Sequence, residues 1–93
     1  MKIEIQDKVF KFLEKKNKNS LSIRVKGCSS WGIGEPQPVV ELGEPKEDNF
    51  TLYKEGNIDV YVENSVKAKD DTIKLKVTKI LFKEILVVEN LDI

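Results

Sequence analysis

The sequence predicts an α+β fold, mainly antiparallel strands with one N-terminal helix, and three observations lead there. Apolar residues recur at spacings of three and four only in residues 7–16, while most other patterned stretches have a period of two. The links between those stretches are too short for repeated βαβ crossovers. Finally, 93 residues with 40% hydrophobic content suit one domain, since chains split into several cores only at a few times this length.

Taken in order, KIEI at residues 2–5 alternates polar and apolar side chains as a short strand does. Asp7 is then placed to cap a helix over residues 7–16, whose buried stripe is Val9, Phe10, Phe12 and Leu13. Lys8, Lys11, Glu14 and Lys15 are expected to face water, and NKNS stops the helix. From Leu21 the period is two: Leu21, Ile23 and Val25 point inward, and Ser22, Arg24 and Lys26 point to a wet face. Residues 38–42 form a further short strand, which Pro36 and Pro38 confine to an edge or a loop exit. GEPKEDN is a connector. Residues 50–53 and 58–63 read as a hairpin across KEGN, where Gly56 and Asn57 tolerate positive φ. A short helical turn is expected at 65–69, followed by a strand with Ile73, Leu75 and Val77 inward and Lys74, Lys76 and Thr78 outward. Residues 79–83 carry no clear pattern. ILVV within 84–89 suits a strand buried on both faces, or an edge that docks on a partner.

Sixteen basic residues cancel sixteen acidic ones, so no overall field draws the chain to nucleic acid or to an anionic membrane, although local patches are compatible with this balance. A single cysteine excludes an intramolecular disulfide framework. The start MKIEIQDK lacks the apolar core of a secretory signal, and no run approaches the roughly 18–20 apolar residues of a membrane span. A cytoplasmic protein is expected. Histidine is absent, which removes the usual general base and the usual nitrogen metal ligand, so triad hydrolysis and histidine-based zinc sites lose their main component.

The segment VKGCSSWGIG concentrates rare residues: it holds the only cysteine, the only tryptophan and three of the five glycines. Gly27, Gly32 and Gly34 give the backbone latitude around Cys28, with Ser29, Ser30 and Trp31 completing the loop. Cys28 admits three readings. A free cytosolic cysteine is commonly a small buried hydrophobe, but a position just past a strand's apolar face, among Gly and Ser, argues against deep burial. As a reactive thiolate it has Lys26, loop amides and the Ser29 and Ser30 hydroxyls as stabilisers, with no histidine to assist and no second thiol in the chain. As a metal ligand it is one donor where an iron–sulfur cluster ordinarily takes four. A lone tryptophan such as Trp31 more often anchors a core or an interface than a ligand, and GCSSWGIG lacks the Gly-Lys-Ser/Thr ending of a P-loop. Glu35, Glu41, Glu44, Glu47 and Asp48 show no acid/base spacing and read as surface.

IEIQDKVFKFLEKK, LSIRVKGCSS, VVELGEPKEDNF, NIDVYVENS and FKEILVVEN together resemble the HesB/IscA-like iron–sulfur biogenesis family along almost the whole chain. Gly27-Cys28-Ser29 corresponds to the family's G-C-S-G-like motif after a strand. The chain departs from the family by having Ser30 where glycine is typical and by ending VVENLDI, without the C-terminal Cys-Gly-Cys. It is closer to a small HesB-like, selenoprotein-related branch. The resemblance implies a single HesB-like domain over 1–93 that handles iron or iron–sulfur clusters, with Cys28 as a transient metal or sulfur ligand. It further implies iron–sulfur assembly or redox proteins as partners and a homodimer; the charge balance and the lack of a long apolar run are what argue against nucleic-acid and membrane partners. The alternatives are a metal-free thiol redox or sulfur-relay protein using Cys28, and a non-catalytic interaction module.

Overall fold

Strand β1 (Lys2–Ile5) leads into helix α1 (Asp7–Lys15), and six strands follow: β2 (Ser20–Lys26), β3 (Gln37–Leu42), β4 (Phe50–Glu55), β5 (Ile58–Glu63), β6 (Thr72–Ile80) and β7 (Lys83–Glu89). This computed structural model describes residues 1–26 and 37–92.

The helix forms where the three-and-four spacing predicts it. Val9, Phe12 and Leu13 make its buried stripe and face β6 and β7. Phe10 falls outside the stripe and is 37% exposed. Its ring lies instead beside Gly56, 3.5 Å from where a Cβ would stand there. Gln6, not Asp7, occupies the N-cap, and no side chain caps it; Asp7 sits in the first turn, where its charge still complements the helix dipole. NKNS ends the helix through a Schellman arrangement. Asn17 adopts φ 56°, the Lys18 N–H donates to the Leu13 carbonyl at 3.0 Å, and the Asn17 N–H donates to the Glu14 carbonyl at 3.0 Å.

The strands form two sheets, ordered β1-β6-β7 and β3-β2-β5-β4. Their inner faces and α1 share one core, in which Val9, Leu13, Leu21, Ile23, Val60, Ile73 and Leu75 are at most 2% exposed. The alternation read in residues 58–63 and 73–77 is therefore the core-facing register of β5 and β6. β3 is a sheet edge, as Pro38 within it requires; Pro36 lies outside the described residues. β7 is one of the two edges of the other sheet; Val88 is buried while Ile85, Leu86 and Val87 are half-buried.

The expected HesB/IscA-like, mainly antiparallel body is corrected by the pairing. Both sheets are mixed, with β1 parallel to β6 and β2 parallel to β5, beside the antiparallel pairs β2/β3, β4/β5 and β6/β7. What stands is a small α+β fold of two mixed sheets and one helix. Short links constrain only how consecutive strands meet, and both parallel pairs join strands that are not consecutive. Two local expectations also change. The turn foreseen at 65–69 is a 3₁₀ turn at Lys69–Asp71, and the unpatterned 79–83 is the tip of the β6–β7 hairpin. Among the described residues, no helix is long and apolar enough to cross a membrane.

Candidate functional site

β2 leads directly into the cysteine segment, and β3 leads out of it. Lys26 and Gln37, the last and first residues of those strands, are paired, so the chain leaves and rejoins the four-stranded sheet at one end. The candidate residues Cys28, Gly27, Ser29, Ser30, Trp31, Gly32 and Gly34 all fall between them and lie outside the described residues, as does Glu35. The same holds for the Lys26 side chain, the cation nearest to Cys28 in sequence.

What the structure does describe is the approach along β2. The expected inward set is confirmed, with Leu21 and Ile23 fully buried. The face expected to be wet is covered. Ser22 is only 2% exposed, and Arg24 lies in a cleft of about 320 Å³ lined by Ser22, Glu41, Glu44 and Glu47 among others. The connector after β3 provides the cover: Arg24 Nη2 and Nη1 donate to the two Glu47 carboxylate oxygens at 3.2 and 3.4 Å. Such a two-point contact uses the planar fork that lysine lacks. Arg24 Nε stands 3.7 Å from Glu41, and the guanidinium rests over the Phe50 ring, 5.2 Å from its centre.

These contacts set the local electrostatics. Hydrogen bonding to Glu47 holds the Arg24 guanidinium above its ordinary pKa, and the reciprocal bond from Arg24 holds the Glu47 carboxyl below its own. Tyr61, cross-strand neighbour of Ser22, has its phenol pushed up, first by burial and then by the Glu44 and Asp59 carboxylates. Arg24 is consequently a neutralised structural cation. Glu41 and Glu47, read from sequence as plain surface, are its counter-charges: the β2/β3 register sets Glu41 opposite Ser22, two residues from Arg24, and closure of the connector after β3 brings Glu47 over it.

Among the described residues, no group of three or more acidic, His or Cys side chains is placed to hold a metal ion. With no histidine and one cysteine in the chain, the donor set does not fit a resident iron–sulfur cluster.

A family model described as a CC/Se motif containing family matches residues 1–91. The chain belongs to the CC/Se motif family. The match spans both sheets and α1 and includes Cys28, so the cysteine segment and its scaffold fall within one family pattern. This CC/Se motif family member has one cysteine, followed by Ser29 and Ser30. The match does not link the chain to the HesB/IscA family that its motifs resemble. No curated protein matches the chain.

Proposed function

We propose that this protein is a sulfur-relay or thiol redox protein whose reactive group is Cys28. The observation that carries the reading is the family match, whose description names a CC/Se motif that we read as cysteine and selenium, over a chain with one candidate thiol; sulfur and selenium are both chalcogens used as nucleophiles. A single cysteine favours sulfur relay over dithiol chemistry. In relay, the Cys28 thiolate attacks the outer sulfur of a donor persulfide. A new S–S bond forms as the donor's S–S bond breaks, and the donor leaves as a thiolate. Atoms and electrons balance with no external oxidant and no second cysteine in this chain. Ser29 and Ser30 are the candidates to stabilise the thiolate through their hydroxyls.

A second reading takes iron or a nascent cluster as cargo, with Cys28 as a transient ligand and the other ligands supplied by donor and acceptor proteins. The Gly27-Cys28-Ser29 pattern favours it. Alkylation rate against pH separates the two. Sulfur relay expects an inflection well below the free-thiol value of about 8.5, together with a one-sulfur mass gain on a persulfide donor that Cys28→Ser abolishes. An ordinary thiol pKa without that mass gain, alongside iron and sulfide uptake that Cys28→Ala removes, replaces relay with the cargo reading.

A further inference from the structure

The tip of the β6–β7 hairpin is the feature that folding explains least. β6 and β7 are joined by two residues, Leu81 and Phe82, with φ of 48° and 67°. Hairpins with both central residues at positive φ normally place Asn or Asp and Gly there, because bulky side chains are strained in that region. Here the strained positions carry two large apolar side chains that are 89% and 98% exposed, and the adjoining Ile80 is 53% exposed. Neither turn geometry nor core packing calls for them.

The surroundings are basic. Lys79 and Lys83 flank the apolar tip in sequence, and both are exposed. On the helix side, Lys8, Lys11 and Lys15 of α1 join Lys79 around a cleft of about 310 Å³ at the hairpin's base. One carboxylate, Glu84, faces them, bound to Lys15 at 3.4 Å. Four cations against one anion leave this end positive, although the whole chain is neutral.

We infer that the β6–β7 tip is a peripheral membrane contact, with Leu81 and Phe82 entering the headgroup boundary of an anionic bilayer while the lysines meet lipid phosphates. A protein receptor would need a preformed pocket for this convex apolar projection, whereas a bilayer accepts it without one. The combination of apolar tip and basic base matches the two attractions an anionic membrane offers. The inference is independent of Cys28.

Sedimentation with phosphatidylcholine vesicles, with and without phosphatidylserine, tests it. The protein is expected to bind phosphatidylserine-containing vesicles, more weakly as salt rises, and to bind phosphatidylcholine alone poorly. Leu81→Asn/Phe82→Gly is expected to reduce binding at least about tenfold without lowering the thermal midpoint, since both new residues suit the turn. Lys79→Gln is expected to reduce it about fivefold. Failure of the parent protein to sediment with anionic vesicles overturns the inference, and so does equal binding by the tip variant. A concentration-dependent dimer that the tip variant abolishes, without vesicle binding, assigns the tip to a second copy and overturns it as well.

Discussion

The β4–β5 hairpin turns on Gly56 and Asn57, whereas the β6–β7 hairpin turns on Leu81 and Phe82. Both connections are two residues long and both require positive φ, at 61° for Gly56 and at 48° and 67° for the other pair. In the first, the residue that needs the unusual backbone lacks a Cβ, and the open side of the turn receives the Phe10 ring. In the second, the backbone makes the same demand of side chains that resist it, and those side chains contact little. One hairpin has local chemistry and fold in agreement. The other sets them in conflict, and such conflicts concentrate where a surface serves something other than folding.

Relieving the conflict should produce the largest stability change. Leu81→Asn/Phe82→Gly is expected to raise unfolding free energy by about 2 kcal/mol, read from the urea midpoint at constant slope; a fall would mean that the tip packs in a way the exposures do not indicate. Imposing the conflict on the other hairpin should do less, in the opposite direction. Gly56→Ala is expected to cost about 1 kcal/mol by the same measurement. The cost comes from φ rather than space, because the new methyl would sit at ordinary contact distance from Phe10.

The smallest effect separates the charges beside the two hairpins. Lys15–Glu84 is an exposed pair, whereas Arg24 is 19% exposed and holds Glu47 at two points. Because Arg24 depresses the Glu47 pKa, the contact stabilises fully above the carboxyl's ordinary value of 4.5 and is lost as pH falls through the lower, folded-state value. Glu47→Gln is therefore expected to lower the thermal midpoint near neutral pH. The gap from the parent should close on acidification below that ordinary value, while Glu84→Gln should leave the midpoint nearly unchanged throughout.

The hairpins also mark how far local pattern reaches. Ile58, Val60 and Val62, like Ile73 and Leu75, announce their strands because burial on one face imposes a period of two on the chain itself. Gly56-Asn57 announces its turn for the same reason, through a backbone demand met by composition. Leu81 and Phe82 could not announce theirs, because they carry apolar side chains where turn residues belong. The parallel pairings were hidden for another reason: the neighbour of β2 is set by β5 and that of β1 by β6, and no nearby residue records either choice. Ser22 and Arg24 looked solvent-facing because GEPKEDN reads as a connector, and only tertiary closure brings Glu47 over Arg24. At the candidate site, Cys28 was legible as a chemical singularity and the family match includes it. Its segment lies outside the described residues, so chemistry and strand attachment carry the reading there.

The parallel seam between β1 and β6 has a consequence for biosynthesis. Lys2 pairs with Thr72, a partner made some seventy residues later. At about 5–20 residues per second on the ribosome, β1 waits several seconds for its neighbour, so it stays unfastened while α1 and the strands between are being made.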